Sequence, residues 1–139
     1  MKGNSSYNTL EDLNSADCTI AVCRGTTGEE IAMQYAPNAE LVYVQGYSEQ
    51  VLMVEQGKAD AACHDNSSID YSVKNSNGAL KCSEKLYTSD PICACIRRGD
   101  PDFRDWVNMF ISWKISDGFQ RETYLKWFGS EPGELTSIW

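Results

Sequence analysis

Cys18-Thr-Ile-Ala-Val-Cys23 runs directly into Arg24-Gly25-Thr26-Thr27-Gly28-Glu29-Glu30, and this junction decides the fold. Apolar and β-branched residues give way to a glycine turn, the pattern of a strand ending at a helix start. Thr27 suits the helix N-cap, with Glu30 three residues on completing a capping box. The first amides of a helix have no partner within it, and the helix dipole adds positive potential there. The backbone and hydroxyls of Thr26 and Thr27 therefore suit a small anion such as a carboxylate.

Further along, Ala59-Asp-Ala-Ala-Cys63 has the composition of a short buried strand and stops at His64-Asp65-Asn66-Ser67-Ser68, where another helix begins. In open parallel sheets, ligands collect at the carboxyl ends of strands. An anion-binding helix start beside an acidic side chain suits a zwitterion, with its carboxylate on Thr26/Thr27 and its ammonium on Asp65. Taken singly, a Thr or Asp in such a place is most often a helix cap. Two of them at adjacent strand ends tip the balance toward a site.

Outward from these junctions the periodicity alternates. The pattern predicts strands over 18–23, 40–45 and 59–63, and helices over 28–35, 48–56 and from 64 to about 75. Gly57 is placed to stop the second helix. Residues 75–78 form a turn, and 80–86 and 92–97 are expected as further strands. The β-α-β-α-β order predicts an α/β fold with a doubly wound, mostly parallel sheet and right-handed crossovers. The C-terminal third differs. Asp100-Pro101 suits an N-cap and N1 pair opening a helix to about Ser116, and Gly118 ends it. A last helix spans 119–127. Phe103, Trp106, Val107, Phe110 and Ile111 form an apolar stripe at helical spacing, as core residues usually do.

Composition excludes several functions. With 42% hydrophobic and 23% charged residues among 139, the chain suits one globular core. A net charge of −8 argues against nucleic acid, whose phosphates require clustered Lys and Arg. No apolar run approaches the roughly 20 residues that span a bilayer. The six cysteines contain no C-x-x-C pair, and His64 is the only histidine, so no metal site and no cofactor are expected. Cys63, Cys93 and Cys95 lie in apolar runs and are expected as buried thiols, with Cys82 the best candidate for an exposed one. Disulfides stay open, with 15 pairings available to six cysteines.

Thr9-Leu-Glu-Asp-Leu13, Ile20-Ala-Val-Cys-Arg-Gly-Thr-Thr27, Gln56-Gly-Lys-Ala-Asp-Ala61 with His64-Asp65, Leu86-Tyr-Thr-Ser-Asp-Pro91, Arg97-Arg-Gly-Asp-Pro101 and Tyr124-Leu-Lys-Trp-Phe-Gly129 follow one another in a fixed order. Together they resemble the second lobe of the extracytoplasmic polar amino-acid-binding proteins of ABC importers (solute-binding protein family 3). The resemblance implies a type II periplasmic-binding-protein-like lobe with a C-terminal helical tail. It implies residues 1–98 as the second α/β lobe with hinge strands at both ends, and 99–139 as helices that pack on a first lobe. The chain opens at what looks like the hinge, so a truncated domain is expected, with Met1 a cloning start. The family's arginine that clamps the ligand's α-carboxylate then lies outside it, and the isolated chain is expected to bind weakly.

From the same resemblance, the ligand is a polar amino acid, glutamine- or glutamate-like. The partners are the membrane permease of an ABC importer in the full-length parent and no nucleic acid. The location is extracytoplasmic, either periplasmic or lipid-anchored at the cell surface. His64 resembles a histidine that meets the ligand side chain in glutamine-binding members, and Asp65 the ammonium ligand. Arg24, preceding Gly25, faces either an acidic ligand group or solvent. Cys23 stands where some members carry a polar contact residue, so glutamine specificity does not transfer directly. The C-terminal helices are expected either to fold back over the lobe or to bury this face against another copy as a homodimer, because aromatic residues this dense do not stay in water as one patch. Two other functions stay open, a sensor lobe of a membrane receptor and a dehydratase of the same fold. The latter needs a general acid or base, for which only Asp65 and His64 are at hand.

Overall fold

The computed structural model describes residues 1–89 and 93–132. They fall into two compact units, Met1–Thr88 and Ser89–Trp139. In the first, a 3-10 turn (Glu11–Leu13) leads to β1 (Thr19–Cys23), α1 (Thr27–Tyr35), β2 (Glu40–Val44), α2 (Tyr47–Glu55), β3 (Ala61–Ala62) and α3 (Asn66–Asn75). The strands form one parallel sheet in the order β2-β1-β3. Thr19 to Cys23 pair with Glu40 to Val44, and Ile20 and Ala21 with Ala61 and Ala62.

This order explains where the helices lie. The chain steps from β1 to β2 in one direction and returns across β1 to β3. Right-handed crossovers then put α1 and α2 on opposite faces. The side chains of β1 follow suit. Ile20 and Val22 pack with Ala32 of α1, with Ala36 at its C-cap, and with Leu10 and Leu13. Ala21, between them, packs with Val54 of α2, Ala59 and Leu80. Ile20, Ala21 and Val22 are all fully buried. The strand is therefore apolar at every central position instead of alternating. Each large side chain so buried contributes about 1.5–3 kcal/mol.

Three expectations need correction. β3 has two residues rather than five, because the Asp60 carboxylate takes the Thr19 amide at 2.8 Å in place of a ladder carbonyl. The run 80–86 forms no strand. Leu80 makes only an isolated antiparallel bridge with Lys2, and the rest is held by single bonds such as Lys81 N–H to the Met1 carbonyl and Glu84 N–H to that of Asn8. Of the run expected at 92–97, residue 92 lies outside the described residues, and 93–97 are exposed and unpaired into any strand. A strand needs a neighbouring ladder, and apolar composition alone does not supply one.

The thiols also differ from expectation. Cys93 and Cys95 are exposed, and Cys82 is half-buried with its thiol 3.4 Å from an Asp70 carboxylate oxygen. All six cysteines are free thiols.

The second unit contains α4 (Pro101–Ser116) and α5 (Phe119–Phe128), which pack on each other. Asp100 caps α4 by accepting from the Phe103 amide at 3.0 Å, and Pro101 occupies N1, where no amide is missed. Gly118, at φ 81°, makes the left-handed turn between the helices. The apolar stripe of α4 lies at the surface. Phe103, Trp106 and Phe110 stack in succession with ring centroids 6.3 and 5.8 Å apart, and all three are exposed. No helix among the described residues is long and apolar enough to cross a membrane.

Candidate functional site

In a sheet ordered β2-β1-β3, the loops after β1 and β3 leave toward opposite faces and open a crevice between them. Six residues line a depression of about 200 Å³ at that point: Thr26, Thr27 and Gly28 after β1, and Cys63, His64 and Asp65 after β3. Four of the six expected site residues meet here. Arg24 and Gly25 do not. The Arg24 guanidinium lies over the Tyr43 ring, 4.2 Å from its centroid. Gly25 turns the chain at φ 72°, its amide donating to the Glu29 carboxylate at 2.6 Å.

The helix start falls one residue earlier than expected. Thr26, not Thr27, is the N-cap of α1, in extended conformation at φ −108°. Its hydroxyl accepts from the Glu29 amide at 3.4 Å and donates to the Cys23 carbonyl at 2.7 Å. Glu29, not Glu30, closes the turn from the far side through Gly25. Hydrogen bonds from the Gly25 amide and the Tyr43 hydroxyl hold its carboxyl below the ordinary value. The Thr26 hydroxyl is thus committed to the turn. What α1 offers a ligand is its first two amides, Thr27 and Gly28, which have no acceptor within the helix, together with the exposed Thr27 side chain.

Opposite them, Asp65 occupies the N-cap position of α3, but its carboxylate makes no cap hydrogen bond and is 69% exposed. The usual structural job of an aspartate at this position is therefore not performed. A carboxylate thus faces a helix N-terminus across one small depression. One end of a zwitterion fits each.

His64 is held from behind. The Tyr47 ring, at the start of α2, lies 4.5 Å from the imidazole at a tilt of 49°. The Tyr47 hydroxyl bonds the Ser68 carbonyl at 2.6 Å and the Ser72 hydroxyl at 2.8 Å, so α2 and α3 are fastened together. Gln50, also on α2 and fully buried, donates from its amide nitrogen to the carbonyls of Ala21 (3.3 Å) and Cys63 (3.4 Å). Burial pushes the Cys63 thiol up to about 11, so it is protonated and a poor nucleophile near neutral pH. Among the described residues no group of three or more His, Cys, Asp and Glu is placed to hold a metal ion.

Sequence reasoning missed Gly28 and Cys63 as lining residues, and Tyr47 and Gln50 as their support. Gly28 did carry a signal, since a glycine just inside a helix marks a close approach. Tyr47 and Gln50 carried none, because their roles depend on how α2 crosses the sheet.

No family model matches the chain. The ABC transporter glutamine-binding protein GlnH of Bacillus subtilis (strain 168) is 25% identical over 134 residues, 96% of this chain and 48% of the relative. Among solved structures, an ancestral amino-acid-binding protein that is a precursor of cyclohexadienyl dehydratase is 32% identical, with TM-score 0.70, over 88% of this chain and 52% of that one. A putative binding component of an ABC transporter from Wolinella succinogenes DSM 1740, complexed with lysine, is 28% identical, with TM-score 0.74, over 91% and 55%. The chain spans about half the length of the proteins it matches.

Proposed function

We propose that this chain, a relative of the amino-acid-binding proteins of ABC importers (solute-binding protein family 3) with their type II periplasmic-binding-protein-like fold, is a lobe that recognises the zwitterionic head of a polar amino acid. The observation that carries this reading is the free Asp65 carboxylate facing the start of α1 across the depression. The ligand's ammonium pairs with Asp65, and its carboxylate takes the Thr27 and Gly28 amides and the Thr27 hydroxyl. Charge-assisted bonds of this kind are about twice as strong as neutral ones.

Residues 1–98 serve as the ligand-binding lobe and 99–139 as a helical tail. The lobe meets its ligand from one side, so the isolated chain binds weakly, with a dissociation constant nearer 1 mM than 1 μM, about −4.1 against −8.2 kcal/mol. In the whole protein the setting is extracytoplasmic, with an importer permease as the partner. The relative named for glutamine favours a glutamine-like ligand. The relatives named above are binding proteins, which favours binding over turnover. The exposed aromatic face of α4 pairs with a second copy of the chain.

A melting screen over the natural amino acids tests the site. A ligand at 100 times its dissociation constant adds about 2.7 kcal/mol of stability. A stabilising hit that disappears in Asp65→Ala supports the reading. A hit of equal size in the variant, or no hit with any amino acid, overturns it.

A further inference from the structure

Gln50, on α2, is the only polar or charged residue among the described residues that is fully buried. Its amide nitrogen donates to two carbonyls, that of Ala21 on β1 at 3.3 Å and that of Cys63, just past β3, at 3.4 Å. Its amide oxygen is buried as well and has no hydrogen-bond partner. An unpaired buried carbonyl costs stability, and an apolar side chain of the same shape carries no such cost. Packing alone therefore does not call for an amide here.

The two bonds that Gln50 does make lie where the β1–β3 ladder ends. The Cys63 amide donates to the Ala21 carbonyl at 3.3 Å, and β3 stops at Ala62. The Cys63 carbonyl is then gripped from two sides. Gln50 is one, and the Cα of Gly28 is the other, where a Cβ would come within 2.5 Å of the oxygen. The peptide bond is planar, so a fixed Cys63 carbonyl also fixes the amide of His64, and with it the start of the path to Asp65. The same contact sets how near that path runs to the first turn of α1, where the Thr27 and Gly28 amides lie. One buried amide thus spaces the two halves of the depression.

We propose that Gln50 is a positioning residue for the ligand site, setting the separation between the α1 amides and the Asp65 carboxylate at the cost of an unpaired buried oxygen. This rests on the amino-acid-binding reading above and deepens it. With methionine at position 50, which has a similar volume and no donor, the unpaired oxygen disappears as the Cys63 carbonyl loses its donor. The two effects offset in stability, while the Cys63–His64 peptide loses its hold. A zwitterion met at both ends is sensitive to that spacing, as misplacement by about 1 Å costs an enzyme up to about 100-fold.

Gln50→Met is compared with Val54→Ala, one turn further along α2, whose side chain is 1% exposed and packs with Ala21. Melting gives the stability of each full chain. NMR titration gives the affinity, for L-glutamine first and then for every other amino acid that stabilises the wild-type chain. Gln50→Met is expected to melt within about 4 °C of wild type and to bind at least about tenfold more weakly. Val54→Ala, which opens a cavity, is expected to melt lower and to bind as wild type does at a temperature where it is folded. Wild-type affinity in Gln50→Met overturns the positioning role and leaves the amino-acid site standing. A Gln50→Met chain that melts as low as Val54→Ala, or a Val54→Ala chain that binds as weakly as Gln50→Met, makes the effect one of core packing and overturns it too. A wild-type chain that binds no amino acid overturns the site and the role together.

Discussion

The Cα of Gly28 lies against the carbonyl of Cys63 so closely that a Cβ there would stand 2.5 Å from the carbonyl oxygen and 3.1 Å from its carbon. Both residues line the depression, Gly28 in the first turn of α1 and Cys63 just after β3. The obstruction is backbone, and Gln50 holds that same carbonyl from the other side at 3.4 Å, so nothing there yields cheaply.

Gly28→Ala is accordingly expected to destabilise the first unit by about 1–3 kcal/mol, despite alanine's better helix propensity. Gly46 is the control. It is the N-cap of α2 in extended conformation, and a Cβ there meets nothing within 4 Å. Gly46→Ala loses only the preference of an N-cap for glycine over alanine and should cost less, about 0.5–1 kcal/mol. Chemical denaturation of the two variants checks both, and equal stabilities would refute the close-approach argument.

Glu11 supports a pH prediction. Its carboxylate accepts from Lys85 and, at 2.6 Å, from the Tyr87 hydroxyl, which itself accepts from the Leu10 amide at 2.6 Å. Lys85 also lies over the rings of Tyr35 and Tyr87, 4.9 Å from each centroid. These bonds, that from Lys85 foremost, lower the Glu11 carboxyl from the ordinary 4.5 to about 2. A depressed folded-state value means stability that is present above pH 4.5 and lost as the pH falls toward 2. Asp12, held down by the Asn8 and Thr9 amides, loses stability in the same direction, so the test is a difference. Glu11→Gln should lower the melting temperature at pH 7, and the gap from wild type should narrow from pH 5 to pH 2. A constant gap would refute it.

How much was legible depends on whether a feature is local. Asp100-Pro101 and Gly118 fix the bounds of α4 through short-range chemistry, and the helix spans Pro101–Ser116 as the sequence pattern predicts. The β1-to-α1 junction was visible, but its register was not. The sequence pattern puts the cap at Thr27 with Glu30 as its partner, one residue late, because Thr26 with Glu29 has the same spacing. The choice falls to Thr26 because its hydroxyl also reaches the Cys23 carbonyl and Glu29 reaches the Gly25 amide. His64 and Asp65 were visible as a strand end. Tyr47 behind them was not, since seventeen residues and a crossover separate it from His64. The strands expected at 80–86 and 92–97 failed for the opposite reason, since their composition suited a ladder that the described residues do not provide.

The α4 face yields a prediction on assembly. Trp106, Met109, Phe110 and Trp113 line an apolar groove of about 250 Å³, and each is exposed, Met109 by 64% and Trp113 by 62%. Contiguous apolar surface of this kind marks an interaction face in soluble proteins. Light scattering at rising concentration is expected to show a dimer, and Trp106→Glu is expected to return it to a monomer with its secondary structure intact. A monomer at every concentration refutes pairing between copies.

Thiol chemistry separates the cysteines by environment. A thiolate is the reactive form, and burial lifts the thiols of Cys63 and Cys82 to about 11, helped at Cys82 by the Asp70 carboxylate. At pH 8 each of these is ionised in about one molecule in a thousand. Cys18 is buried, with its thiol 3.5 Å from the Tyr7 hydroxyl. Cys93 and Cys95 have neither shield. A chromogenic disulfide reagent should therefore modify Cys93 and Cys95 first in the native chain, and peptide mapping should find Cys18, Cys63 and Cys82 labelled far more slowly until denaturant is added. Adding a saturating amino acid should leave the rate at Cys93 and Cys95 unchanged and slow the residual labelling of Cys63, which lines the depression. Protection at Cys93 and Cys95 alone would place the ligand elsewhere.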